Sequence, residues 1–354
     1  MASKKTSPPA YNKGEWAELL VLTKLLCEGY AKVGKYDPAE STHRLQILSI
    51  SRDSATSEQF VIDGDFVIVT KSSKRVLRSE ICGTTRNLLP AIQVGTWVFS
   101  ANEGEHLLQL LDIQQLKTGS EKSDLYLNVL DPFSGASGLQ GYTVKSFLGS
   151  SPTLFNAGLA TNFTYQISPK VSPAEIERLN ALPIREMCRD LVDAGHKLEL
   201  VAHHGVFSSN LSILDSRMTE AVSESILAYY SMRCGRDGGL ESTAKYLAAT
   251  NPMNVANPEF FYHHKLKDLL EAATYGMVPS KPWDGKRTAP GGLLIVERNR
   301  ELVSIPAGHS DAHREYLLKS TKFETPSRNR YKFGSIVEVS DGCRLTLNLQ
   351  IRYR

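Results

Sequence analysis

Between residues 122 and 148 the chain alternates, pauses and alternates again. Asp124 to Leu130 places apolar and polar residues in turn, a stretch rich in Pro, Ser and Gly follows, and Leu139 to Phe147 returns to β-branched and aromatic residues. That pattern predicts a β-hairpin. Centring its connection between Ser134 and Gly135 sets Asp124 opposite Lys145 on an antiparallel ladder. Thr143 then shares a face with Lys145, because strand side chains repeat every second residue. A carboxylate, a hydroxyl and an ammonium would converge at the open end. There a carboxylate can hold a divalent cation and a lysine can orient or deprotonate a water, as metal-assisted phosphodiester hydrolysis requires. The same residues also suit a plain cross-strand ion pair on a solvated hairpin.

A second period, near 3.6, governs residues 12 to 29. Asn12 is followed three positions later by Glu15, the capping-box spacing, and Gly29 is a natural stop, so the pattern predicts a helix between them. Trp16, Leu19, Leu20, Val21, Leu22, Leu25 and Leu26 go almost all the way round it, which marks a helix buried on most faces. Glu15 serves as a cap. Glu18 sits among the apolar residues, and a buried carboxylate without a partner costs several kcal/mol, on the order of the whole stability margin. It therefore calls for a cation, either a structural Lys or Arg or a metal.

Further along, Leu45 to Ile50 and Gln59 to Thr70 read as edge strands, the second broken by a turn at Asp63-Gly64-Asp65. Glu103 to Leu116 reads as a helix. The loop GSSPTLFNAGLATNF after the hairpin is crowded with small polar groups, of which Ser151 and Asn156 are candidates for phosphate contacts; as a plain connector it would need none. Phe163 to Ile167 is a strand, and Ser172-Pro173-Ala-Glu175 starts a region where helical periodicity dominates to about Tyr246. The pairs His203-His204 and His263-His264 have no further ligands at a zinc spacing, and neighbours on a helix point to different faces. Beyond the Pro- and Gly-rich boundary at 279–292 come strand-like runs at Leu293–Glu297, Leu302–Ile305, Gly334–Val339 and Cys343–Arg352.

Composition changes this picture little: 41% hydrophobic and 22% charged residues over 354 positions fit an ordinary globular chain. Charge distribution changes it more. Net charge is only +3, yet from Arg314 onward nine Lys and Arg stand against four Asp and Glu. Arg328, Arg330 and Lys332 fall in a turn-rich stretch, and Gln350 and Arg352 alternate on the last strand. Arginine can contact guanine bidentately, glutamine can read adenine and lysine suits phosphate, so these are candidate DNA contacts. A solvated basic edge strand, protected against aggregation, is the plainer reading. Five scattered cysteines without a C-x-x-C pair argue against a disulfide framework and fit a reducing compartment. With neither a secretory signal nor an apolar span, the expectation is a cytoplasmic protein with no membrane partner.

Three blocks carry a resemblance: NKGEWAELLVLTKLL at 12–26, KSDLYLNVLDPFSGASGLQGYTVKSFLGSSPTLFNAGLATNFTY at 122–165, and TKFETPSRNRYKFG with LTLNLQIRY near the end. The chain resembles the HpaII family of type II restriction endonucleases. The resemblance implies an α/β (α+β) fold with a PD-(D/E)xK nuclease core, Mg²⁺ as cofactor, and cutting of both strands of double-stranded DNA at a short palindrome such as CCGG. It also implies a homodimer on DNA, and a cognate DNA methyltransferase in the same prokaryotic intracellular system. On that motif Asp124 matches the metal-binding Asp and Lys145 the active-site Lys, while Thr143 stands where an acid is expected. The first block is also similar to the opening helix of Holliday-junction resolvases, whose metal-binding Glu lies four residues after a Gly; here these are Gly14 and Glu18. A hydroxyl is a poor Mg²⁺ ligand, so Glu18 is the preferred second acid, ahead of Asp131. Under this reading residues 1–11 form a disordered arm, 12–168 the nuclease core, 169–290 a mainly helical region and 291–354 a basic β-rich recognition region. Two other functions stay open: a DNA-binding module whose active site has decayed, and a structure-specific, resolvase-like nuclease of the same fold.

Overall fold

The computed structural model describes residues 9–34, 43–116, 123–130, 135, 137–287, 290–307 and 310–354, and shows a mixed α/β protein. It divides into two compact units that interleave in sequence, one from the residues up to Pro152 together with Thr288–His313, the other from Thr153–Arg287 and Arg314–Arg354.

The first unit is built on a nine-stranded sheet. Its order is Tyr30–Val33, Leu302–Pro306, Gly292–Val296, Ser137–Ser146, Leu125–Leu130, Arg44–Ser51, Gln59–Asp63, Phe66–Val69 and Lys74–Leu77. Tyr30–Val33 pairs with Arg44–Ser51 as well as with Leu302–Pro306, so the strands between them form a closed circuit. The central hairpin lies in the middle, covered by the first helix, Lys13–Glu28. Asn12 caps that helix, its side chain accepting from the N–H groups of Gly14 and Glu15 while Glu15 accepts from Asn12 N at 2.8 Å. Gly29 ends it in the left-handed region at φ 74°, where a Cβ would be strained. From Trp16 to Leu26 the apolar side chains are buried, and a Cβ on Gly104 would collide with the Trp16 ring.

Several expectations need correction. Arg44–Ser51 is an interior strand, not an edge: it pairs with Leu125–Leu130 on one side and with Gln59–Asp63 on the other. The helix foreseen over 103–116 spans Asn102–Leu110, and Asp112 beyond it has φ 54°. Gly292–Val296 pairs parallel with Ser137–Ser146, and Leu302–Pro306 pairs with Gly292–Val296 in turn, so both strands belong to the sheet of the first unit, whereas the basic C-terminal strands belong to the second. Gly292–Val296 is buried throughout, and such continuous apolar runs mark an interior parallel strand. Cys27 and Cys82 are joined in a disulfide with Cα atoms 5.5 Å apart, at the end of the first helix and near the start of helix Arg78–Val94. Scattered spacing hid this, because cysteines 55 residues apart meet only once the helices pack.

The second unit carries an antiparallel sheet of Lys197–His203, Asn162–Ser168, Gly342–Asn348 and Ile336–Val339, and a smaller one of Thr153–Phe155, Ile351–Tyr353 and Thr321–Phe323. Helices including Met218–Tyr230, Leu240–Thr250 and Pro258–Tyr275 pack with them. Lys197–His203 interrupts the region read as helical; its alternating Lys-Leu-Glu-Leu is a strand pattern. His203 ends that strand and His204 caps the next helix, so this pair is not on a helix at all. No described helix is long and apolar enough to cross a membrane.

Candidate active site

The hairpin forms with a register two residues away from the expected one. Leu125 pairs with Tyr142 and Leu130 with Ser137, so Asp124, just before the first paired residue, sits beside Tyr142 and Val144 rather than opposite Lys145. A shift of two preserves the face, since side chains alternate with period two. Thr143 and Lys145 therefore share one face of their strand. Asp124 is tied to the neighbouring strand twice: its N–H donates to Tyr142 O at 2.9 Å, and its Oδ2 accepts from Val144 N at 2.6 Å. Asp131, the lesser candidate, lies outside the described residues.

The first helix brings Glu18 to the same place. Glu18 and Asp124 line one small cavity of about 10 Å³ with Leu19, Leu22, Arg52, Leu116 and Leu125, room for one water or ion. Burial, then the negative charges of Asp124 and Glu15, push the Glu18 carboxyl up to about 8, while Arg52 and Lys145 pull the other way. Burial also holds Lys145 below the usual lysine range, against the attraction of Asp124 and Glu18. Two carboxylates and a lysine thus act on one another in a water-poor pocket, as they do at reaction centres.

Arg52 escaped the sequence reading. It directly follows the strand Arg44–Ser51, is 6% exposed, and pairs with Glu58 at 2.6 Å. Its Nη2 donates to the carbonyls of Gln115 and Leu116 at 2.8 and 2.6 Å. No motif or periodicity flags it; only the fold buries it beside the acids. Thr143 is buried at 3% exposure. Among the described residues no three Asp, Glu, His or Cys gather as a metal-binding group. The donor set is a pair of hard carboxylates, that of Glu18 raised in pKa by burial, which fits a hard divalent cation such as Mg²⁺ with the other positions left to phosphate oxygens and water.

The candidate DNA contacts differ in how free they are. Ser151 is half-buried and Asn156 exposed. Arg328 opens a short helix, Arg328–Tyr331, and its guanidinium is held by Gly334 O, by Leu182 O at 3.4 Å and by Ser335 Oγ. Arg352 donates to Glu324 at 2.9 Å and to Thr153 Oγ1 at 3.2 Å. Gln350 is half-buried and precedes, rather than joins, the final strand. Arg330 and Lys332 are exposed, Arg330 lying 5.3 Å from the Tyr331 ring centroid.

The family model described as HpaII restriction endonuclease matches residues 12–353. The type II restriction enzyme HpaII of Haemophilus parainfluenzae is 32% identical over 355 residues, covering 97% of this chain and 98% of that protein. No solved structure matches.

Proposed function

Since this chain belongs to the HpaII restriction endonuclease family, we propose that it is a type II enzyme of PD-(D/E)xK type that makes Mg²⁺-dependent double-strand breaks at a short G·C-rich palindrome such as CCGG. The observation that carries this reading is the meeting of Glu18 with Asp124 in one buried cavity, with Lys145 acting on both. Glu18 and Asp124 would hold the metal, which when bound supplies neutralising charge for the scissile phosphate. Lys145, depressed by burial, orients the attacking water and eases its deprotonation. The hydrogen bond from Val144 N–H fixes the Asp124 carboxylate in advance of substrate, and Arg52, locked by Glu58 and two carbonyls, holds a balancing charge in the wall. A palindrome calls for two-fold symmetry, so a homodimer on DNA is part of the proposal, as is a partner methyltransferase that protects the host site.

Incubating the purified protein with plasmid and Mg²⁺, then sequencing the product ends, tests it. Discrete fragments sharing one terminal sequence support the reading. A mobility shift without cutting would favour a DNA-binding module that has lost catalysis, the alternative that Thr143 in place of an acid keeps in view. Junction-selective cutting would point to a structure-specific nuclease.

A further inference from the structure

Trp97 is the most exposed large apolar side chain described, at 91%, with Val94 at 80% and Val98 at 62% beside it. Its backbone sits at φ 55°, the left-handed region that a bulky aromatic residue adopts only when its surroundings impose it. Those surroundings are rigid. Asn12 pairs with Val98 and Tyr11 with Phe99 in a two-stranded ribbon. Lys13 Nζ donates to Gln93 O at 2.9 Å, Trp16 Nε1 donates to Phe99 O at 3.0 Å, and Gly95 lies so close to the Phe99 ring that no Cβ would fit. A strained turn clamped from both sides thus thrusts an indole into solvent.

We propose that Trp97 is a DNA-contacting side chain that enters a groove of the duplex and packs against base edges or a base step. The proposal rests on the endonuclease reading. The ribbon fixes Trp97 next to Asn12, the cap of the helix that carries Glu18. Asn12 and Glu18 are six residues apart, about 9 Å along that helix. That span is two to three base-pair rises of about 3.4 Å, so an indole anchored here reaches the bases flanking a phosphate bound at the acid pair. Aromatic wedges and platforms of this kind recognise the faces and edges of bases, and a lysine beside one suits the adjoining phosphates.

The test uses the full chain in a Trp283→Phe background, which leaves Trp97 and the fully buried Trp16 as the tryptophans. With Ca²⁺ replacing Mg²⁺ to prevent cutting, plasmid DNA should shield Trp97 from acrylamide quenching. Trp97→Gly should weaken plasmid binding about tenfold or more, the loss expected for one base–aromatic contact. Because glycine takes φ 55° without strain, the melting temperature should hold or rise, and Trp97→Phe should keep most of the binding. A wild type that cuts DNA while Trp97 stays equally quenchable, or a Trp97→Gly variant that binds normally, overturns this proposal alone. Shielding that grows with protein concentration without DNA would assign the surface to a second copy and overturn it too. A wild type that neither cuts nor binds DNA overturns the endonuclease reading and this proposal with it.

Discussion

The acidic pocket of the first unit and the basic stretch of the second hold charge in opposite ways. In the pocket, few charges stand close together with little water, and their titration is distorted: Glu18 is raised to about 8 and Lys145 lowered. In the basic stretch there are many charges, and most are answered. Arg344 pairs with Asp341, Arg352 with Glu324, Arg354 with Asp237 and Lys319 with Glu315, all partly solvated. Such surface pairs contribute at most about 1 kcal/mol each and cost nothing unusual to keep. A count of charges therefore overstates the second region and misses the first. Unfavourable burial, which a protein tolerates only for a reason, is the better guide to chemistry.

The sharpest way to break the comparison is to remove a charge from the pocket. Lys145→Ala and Glu18→Gln should each slow plasmid cleavage by about 10²–10⁴-fold, with DNA affinity within about tenfold of wild type. Glu15→Gln should lose only the cap, about 1 kcal/mol of stability, because its carboxylate accepts from Asn12 N. Rapid cleavage by Lys145→Ala would sink the hairpin assignment, and a Glu15 variant more impaired than the Glu18 one would show that the wrong helix face was chosen.

The second prediction concerns the metal-free protein. Glu18 keeps its proton to about pH 8 when folded, against the ordinary value of 4.5 for the unfolded chain. Between those values the unfolded chain has lost the proton and the folded chain has not, so stability in EDTA should fall as pH rises from about 4.5 to 8 and level off above. The ceiling on that loss is about 5 kcal/mol. Glu18→Gln, which has nothing to ionise, should flatten this part of the profile. Urea melts from pH 5 to 9 check it; equal slopes in both proteins would place the strain on another group.

How legible each region was in the sequence follows from the same contrast. Glu18 stood out because it interrupts an apolar helix face, and the caps at Asn12 and Gly29 are local chemistry that the fold keeps. Alternation puts Thr143 and Lys145 on one face of their strand, but the register of the hairpin lies two residues from the expected one, since turn length is not encoded in alternation. Arg52, the Cys27–Cys82 bond and the insertion of Gly292–Val296 beside the hairpin all depend on contacts between residues far apart in sequence. In the second unit the run of basic residues was plain to read. Which of them the fold had already engaged was not.

That last distinction yields the third prediction. Arg330 is exposed, whereas Arg328 is bound to carbonyls and Arg352 to Glu324. If Arg330 reads a base, Arg330→Ala should cost about 1–3 kcal/mol of discrimination between the cognate duplex and a scrambled one. Arg328→Ala should instead lower the melting temperature, because it leaves the carbonyl oxygens of Gly334 and Leu182 without their guanidinium partner. Titrations of both variants with both duplexes decide the matter. A loss of discrimination confined to Arg328→Ala would mean that its carbonyl contacts break on binding.

The smallest effect belongs to Lys332, exposed and at φ 51°. A lysine that meets only phosphate carries no sequence information, so Lys332→Ala should weaken cognate and scrambled duplexes by the same factor. Each phosphate contact releases about one condensed counterion, so the slope of log affinity against log salt should become shallower by about one. The loss of affinity therefore shrinks toward high salt, where Arg330→Ala should still show its loss of discrimination. Binding measured at four or five salt concentrations therefore separates the two side chains although they lie two positions apart. An unchanged slope for Lys332→Ala would remove it from the interface, and a change confined to the cognate duplex would make it a reader of bases.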